Sequence, residues 1–548
     1  MQPVRRRKFL GLAGGAGLAA AMASFGVSCG GDDDDGSTPE GGSTSIGVAP
    51  GQATAAADIK LAAKQELTVR QYDEPTGLDP ATVFRIEAEN VALNIYSGLT
   101  AYDPITAAPI PDLAESWTVS SDGKVYTFKL RTNAEWQGGF GKFTSADVKY
   151  SYERILDPAT KSTYRAEFNN VAAIDAPSAD TVVITLKAPD ANFLYQVGNN
   201  HQGQIVKKEA VEKFGDQYLR NPIGTGPFQM TSWTPNSEMV LEAHDGYYKG
   251  KPTLRKIKLV LIKDPSAAET ALKNKEVDLA MSFSSNEILA RLSKDSSVVL
   301  HKSEAYANNL MIPNPDFKPF SDARVRQAMA YAIDNDSISK KLNPFTQAAA
   351  TNILPPFMPV FSTDTPAYKY DPAKAKALLK EAGYEKGFST SWILTNTTGA
   401  DEATQLRQAQ LAEVGIDIKF ELMDTAVWNK RRNNGEYELT SRLYPAVNPD
   451  TLLFGYLHPD NIVPKGLNGA KYSNPELTSK LEAARAETNA EKRKSLYAEV
   501  QKIAMTDLPY IPLATSNVFW AGYPWVKGVV INKLASVDYF PVKLEEHA

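Results

Sequence analysis

The stretch KVYTFKLRTNAEWQGGFGKFTSADVKYSYERIL (residues 124–156) changes its hydrophobic period partway along. In its first part Tyr126, Phe128 and Leu130 alternate with Thr127 and Lys129, the two-residue repeat of a strand with one buried face. In its last part Val148, Tyr152, Ile155 and Leu156 fall on one side of a 3.6-residue repeat. Thr144 stands at the start of that run with Asp147 three residues on, a capping-box spacing that predicts a helix beginning there. A strand followed closely by a capped helix predicts mixed α/β architecture.

The same two periods recur on either side. DTVVITLKA (180–188) alternates through Val182, Ile184 and Leu186, and KIKLVLI (256–262) through Ile257, Leu259 and Leu261. Beyond about residue 320 helices dominate. SDARVRQAMAYAID (321–334) places Val325, Met329, Ala332 and Ile333 on one stripe, with Ser321 or Asp322 as the cap. DPAKAKALLKEAGY (371–384) opens on Asp371 and Pro372 and closes near Gly383, and NPELTSKLEAARA (474–486) repeats the device with Asn474 and Pro475. Leu496, Val500 and Ile503 continue the helical pattern, and IDIKFEL (416–422) supplies an intervening strand. Roughly 490 residues follow the N-terminal segment, more than the ~250–300 that one core supports, so two lobes are expected.

The N-terminus is an address. Arg5, Arg6, Arg7 and Lys8 precede an uncharged Gly/Ala-rich run, and RRKFL (6–10) resembles the twin-arginine export signal. The run has too many glycines to make a good membrane span, although an uncleaved anchor is the alternative. Cys29, the single cysteine, follows FGVS as in a bacterial lipoprotein cleavage box, with Gly26 departing from that pattern. The expectation is a signal over 1–29 ending at a lipidated Cys29; a chance cysteine in a signal cleaved elsewhere is the alternative. Residues 30–62 have almost no large apolar side chain until their end and read as an acidic Gly/Ser linker. A flexible chain of that length reaches ~30 Å on average, enough to tether a folded body above a membrane.

The whole chain carries −5; without the four cations of the leader and the five acids Asp32–Asp35 and Glu40, the body carries −4. A mildly acidic body with no basic stripe argues against nucleic acid as a partner. The five histidines are scattered, no GxSxG elbow, phosphate loop or dinucleotide glycine motif occurs, and no cofactor or metal is expected. The glycines of NPIGTGPFQM (221–230) read as a turn. Paired carboxylates among the 64 acids keep an exported hydrolase open as an alternative to a binding protein.

Six segments occur in one order: LDPATV (78–83), the long stretch 110–158 that contains the opening quotation, NPIGTGPFQMTSW (221–233), KNKEVDLA (273–280), KPFSDARVRQAMAYAID (318–334) and RKSLYAEVQKIAMTDLPYIPL (493–513). Together they resemble the extracytoplasmic solute-binding proteins of ABC importers, in the peptide/nickel-binding family (family 5). LAAKQELTVR (61–70) and AVEKFGDQY (210–218) are most similar to its oligopeptide binders. The resemblance implies a two-lobed α/β clamp, with an extra subdomain in lobe one and ligand between the lobes. Lobe one would comprise 63–310 and a C-terminal return over 512–548, and lobe two 311–511. It implies an oligopeptide ligand, permease subunits as partners, and a monomer on the outer side of the cytoplasmic membrane. A metal chelate or an oligosaccharide is the alternative cargo.

The same resemblance implies the site. Phe84, Arg85 and Ile86 correspond to a peptide-lining strand, Tyr164 to an aromatic pocket residue, and Asn200 and His201 to a polar pocket segment. Met281, Ser282, Phe283 and Asn309 follow. The last segment runs through Tyr444, Ala446, Asn448 and Asp450, and Ala446 stands where oligopeptide binders carry the aspartate that pairs with the ligand's amine. Asp450 is the displaced candidate for that anchor. WQGGFGKF (136–143) replaces a more acidic turn, a change expected to affect only a loop.

Overall fold

The strand expected in the opening stretch spans Val125–Leu130 and lies second in a four-stranded antiparallel sheet with Ala114–Val119, Thr181–Leu186 and Val171–Ser178. The helix that follows spans Ser145–Leu156, and its capping box forms: the Thr144 amide donates to Asp147 Oδ2 at 2.9 Å. Tyr126, Phe128, Val148, Tyr152, Ile155, Val182 and Ile184 meet in one core between sheet and helix. The computed structural model describes residues 59–83, 85–396, 400–443 and 445–547, with 304–306 described as backbone. Cys29 and the rest of the export signal, residues 30–58 of the linker, Phe84 and Tyr444 lie outside the described residues.

Among the described residues a second, eleven-stranded mixed sheet organises the rest of the chain. Two long strands, Val299–Pro313 and Ile511–Gly522, run antiparallel at its centre. One end of this pair joins Leu279–Phe283, which continues to Glu66–Gln71 and Lys256–Leu261. The other end joins Leu439–Leu443, then Phe388–Thr395 and Ile416–Met423. Leu300 and Phe519 accordingly lie in a core with Leu67, Val69, Ile257 and Leu259, whereas Met311 and Ile511 lie in another with Val325, Met329 and Trp392. These cores define two lobes, and the long strands are shared by both.

The helix starts of the second lobe follow the sequence. Asp322, rather than Ser321, caps Ala323–Ala332; Asp371 caps Pro372–Glu381 and Asn474 caps Pro475–Ala486. Each cap side chain accepts a backbone N–H of the first turn, which contributes about 1 kcal/mol per helix. The 12-residue helix Pro475–Ala486 and the 18-residue helix Ala490–Asp507 pack on a further core with Leu453 and Tyr456. No helix among the described residues is long and apolar enough to cross a membrane.

The NPIGTGPFQM loop is more than a turn. A Cβ on Gly224 would lie 1.9 Å from the Ile95 carbonyl oxygen, so only glycine permits the approach. Gln137, from the WQGGFGKF turn, is buried against it. Its side-chain amide donates to the carbonyls of Ile95, Gly226 and Phe228, and its oxygen accepts the Gly224 amide. The expectation that this turn alters only a loop is thereby corrected: Gln137 fastens the glycine loop to the end of the helix Ile86–Ile95.

Candidate functional site

That helix delivers the site. Arg85 is its extended N-cap and Ile86 its first residue, so the lining strand expected at 84–86 is replaced, from Arg85 on, by a helix start. Glu87 and Glu89 occupy the first turn, where the helix dipole favours negative charge, yet both are buried. Glu87 is paired with Arg85 and also accepts the Tyr72 hydroxyl at 3.0 Å. Glu89 accepts the His201 amide at 3.2 Å and the Gln204 side-chain amide at 3.2 Å.

Burial raises the Glu89 carboxyl to about 8, because water no longer stabilises its charged form, whereas the Glu167 side chain is exposed. Burial also holds the His201 imidazole down to about 4. His201 Nδ1 lies 3.2 Å from Glu89, but at neutral pH the imidazole is uncharged and the contact is not an ion pair. His201 has φ +42, a left-handed conformation unusual for a non-glycine residue, of the kind that clusters at binding sites. Its ring stacks on Tyr164 at 5.5 Å, and the Tyr164 hydroxyl donates to the Val83 carbonyl at 2.9 Å. Gln202 donates to Glu167 at 2.7 Å, and the Tyr102 hydroxyl to the Tyr195 carbonyl at 2.5 Å.

These groups form one wall of a 440 Å³ cavity between the lobes. The opposite wall comes from lobe two: Arg432 from the end of the helix Thr425–Asn434, Arg442 from the strand Leu439–Leu443, and the following segment with Ala446 and Asn448. The Arg432 guanidinium lies 4.3 Å over the Trp428 ring. Burial, and then the charge of Arg442, hold Arg432 down to about 10. One wall thus carries three carboxyl groups, one of them paired with Arg85, and the other two guanidinium groups and no acid. Among the described residues no group of three or more metal-ligating side chains assembles.

Seven residues expected at the site line this cavity: Arg85, Ile86, Tyr164, Asn200, His201, Ala446 and Asn448. Five are elsewhere. Met281 and Phe283 are core residues of lobe one, where the Met281 carbonyl accepts the buried Arg70 at 2.5 Å. Ser282 sits between them at φ +55, in a break of strand register. Asn309 is paired into the central sheet opposite Leu443 and Ala514. Asp450 is buried and held by Arg485 Nη2 at 2.5 Å and Nε at 3.1 Å, away from the cavity. Sequence reasoning missed Glu89, Glu167, Arg432 and Arg442. The available signal, for Glu89 alone, was two acids at the start of IEAENVALNI, an otherwise uncharged helix.

Residues 108–462 match the bacterial extracellular solute-binding proteins, family 5, middle region. The dipeptide-binding protein of Escherichia coli (strain K12) is 29% identical over 539 residues, covering 93% of this chain and 99% of the relative. The glutathione-binding protein GsiB of Salmonella paratyphi A (strain ATCC 9150 / SARB42) is 30% identical over 480 residues, 86% of this chain and 93% of the relative. Among solved structures, the periplasmic binding protein DppA of Helicobacter pylori in complex with the peptide STSA superposes with a TM-score of 0.74 at 29% identity, over 88% of this chain and 98% of that one. Each of the three is a binding protein rather than an enzyme. With its two lobes, shared central strands and interlobe cavity, the chain belongs to family 5 of the bacterial extracellular solute-binding proteins, the substrate-binding components of ABC importers.

Proposed function

We propose that this protein captures short peptides outside the cytoplasmic membrane, tethered there through a lipidated Cys29, and delivers them to permease subunits when its lobes close. The observation that carries this reading is the complementary chemistry of the two cavity walls, carboxyl groups on one and guanidinium groups without any acid on the other. A peptide's main chain ends in an ammonium and a carboxylate, and a cavity with carboxyl groups on one side and guanidinium groups on the other complements both ends. The volume of 440 Å³ sits in the lower part of the ~300–1,000 Å³ range of small-ligand sites, which favours di- and tripeptides over long oligopeptides. The dipeptide- and glutathione-binding relatives support the same class.

The division into 63–310, 311–511 and 512–548 places the chain crossings within or beside the two long central strands, which we take as the hinge. Ligand then stabilises the closed form through its contacts to both walls, and closure is the signal that a permease reads. The test is mass spectrometry of small molecules released from the purified, undialysed protein by denaturation. Di- and tripeptides are the expected cargo; recovery of a metal chelate or an oligosaccharide in their place overturns the peptide reading.

A further inference from the structure

We infer that Glu89 and Glu167, on lobe one, anchor the free amino group of the ligand, a role that lobe two does not fill in this protein. The inference rests on the peptide reading above and assigns the direction in which a peptide lies.

Lobe two has no group for the task. Its residues on the cavity are Arg432, Arg442, Leu443, Pro445, Ala446, Val447, Asn448 and Thr451, with two cations and no acid among them. An ammonium placed beside Ala446 would face those guanidinium groups. Asp450 is engaged by Arg485 and does not reach the cavity.

Lobe one has what lobe two lacks. Of its three lining glutamates, Glu87 is neutralised by Arg85. Glu89 and Glu167 have no lysine or arginine partner among the described residues, and each retains acceptor capacity beyond the bonds from His201 and Gln204 to Glu89 and from Gln202 to Glu167. Tyr102 lies within electrostatic reach of both, so the two carboxyl groups flank one part of the cavity. A second feature points to a donor arriving from outside the protein. Gln196 Oε1 and Asn200 Oδ1, on the same wall, are buried and accept no hydrogen bond. An ammonium carries three N–H donors. Two carboxyl groups and two orphan amide oxygens supply acceptors for all of them.

Proton linkage follows from burial. The Glu89 carboxyl, raised to about 8, holds its proton for most of the time in the empty cavity at pH 7, and an ammonium favours its charged form. Binding therefore releases up to about one proton. Of the groups facing Glu89, Arg85 and Glu87 lie on its own helix and are mutually paired. Tyr102 is pushed far above its ordinary range and His201 is held at about 4. Arg432, held at about 10, stays charged on the opposite wall. Neither Tyr102 nor His201 changes charge between pH 6 and 7.5, so at this wall the slope in that window belongs to Glu89. Above it the peptide's own amine, ordinarily near 7.7–8.0, begins to deprotonate.

The test is isothermal titration of the full chain with the dipeptide Ala-Leu and with N-acetyl-Ala-Leu, in phosphate and in Tris. Ala-Leu should bind at least about 30-fold more tightly than its acetylated form, a loss in line with a charge-assisted hydrogen bond. It should release protons on binding and gain affinity from pH 6 to 7.5. Glu167→Gln, at an exposed carboxyl bonded only by the Gln202 amide, should cut the discrimination to under about fivefold; Glu89→Gln should do the same and remove the proton release if it folds. Asp450→Asn should leave discrimination intact. Acetylated and free peptides binding within threefold of each other, or Asp450→Asn abolishing the preference, overturns the inference while leaving the peptide reading standing. If neither peptide binds, the peptide reading falls and takes the inference with it.

Discussion

Arg485 holds Asp450 by two hydrogen bonds, at 2.5 and 3.1 Å, and turns into structure a carboxylate that by sequence position was the substitute for a missing ligand anchor. Asp450 lies in the first turn of the helix Pro449–Leu457, with its side chain 5% exposed against 31% for Arg485. The Tyr497 hydroxyl adds a longer contact at 3.4 Å. Removing one partner of a buried pair leaves the other charge uncompensated, which costs ~3–5 kcal/mol when both are fully buried. The partial exposure of Arg485 lowers that, so Asp450→Asn should destabilise the protein by roughly 2–3 kcal/mol in urea unfolding. A loss below 0.5 kcal/mol would show the pair to be structurally idle.

The ligand-free protein should become less stable as pH rises from 6.5 to 8. Burial raises Glu89 and Asp190 to about 8 and about 7, against ordinary values of 4.5 and 3.8. Each binds its proton more tightly folded than unfolded, so its contribution is complete below the ordinary value and is lost as pH climbs through the folded one. His201 and His301 work in the opposite sense, since burial holds both at about 4. Their effect is complete by their ordinary 6.5, and above it they are neutral in both states. Calorimetry should therefore find Tm falling over 6.5–8, with a shallower fall in Glu89→Gln. A Tm that rises over this window contradicts the protonation states assigned to the cavity.

Gly224→Ala should damage binding from outside the cavity. Its new methyl would meet the Ile95 carbonyl at 1.9 Å and displace the end of the helix that carries Glu89. Overpacking of this kind costs typically 1–3 kcal/mol. Gln137→Leu should cost a similar amount, because the Gly224 amide and three carbonyls lose their shared partner. Both variants should lose peptide affinity as well as stability; a Gly224→Ala protein with unchanged denaturation midpoint would dismiss the close approach.

What the sequence disclosed and what it withheld divide by range. Thr144, Asp322, Asp371 and Asn474 announced their helices because a cap needs only its own next three residues. The strand Val125–Leu130 announced its buried face in the same local way. Glu89 and Arg442 face one cavity only because the fold brings together segments far apart in the chain, and neither lies in a spacing that marks chemistry. Family position led to Tyr164, His201 and Ala446, which do line the cavity, and equally to Met281 and Phe283, which pack in the core. Correspondence of position carries backbone placement; it does not carry the direction of a side chain.

The proposed tether has a direct test. Wild-type protein should sediment with membranes and Cys29→Ala should not, since acyl chains contribute ~0.8 kcal/mol per buried methylene and the variant has nowhere to attach them. Equal retention of the variant would point to an uncleaved N-terminal anchor.

The last prediction concerns closure, and it rests on a contact between the lobes outside the cavity. The Asn192 side chain, from the segment that follows the four-stranded sheet, donates to the Tyr497 hydroxyl at 2.9 Å, and the Ala191 amide donates to the Arg485 carbonyl at 2.8 Å. Tyr497 and Arg485 belong to the paired helices of lobe two, so under the proposed hinge motion these bonds break when the lobes part. Asn192 does not line the cavity. Losing one such bond removes roughly 0.5–1.5 kcal/mol from the closed form. Because apparent affinity scales with the population of the competent state, Asn192→Ala should weaken Ala-Leu about two- to tenfold with no change in the free-to-acetylated ratio. Small-angle scattering should show wild type contracting on saturation with Ala-Leu, and the variant needing more peptide to reach the same radius. If the affinity of Asn192→Ala equals that of wild type, the Asn192–Tyr497 bond is not part of the closing contact. A radius unchanged by confirmed binding would reject the hinge itself.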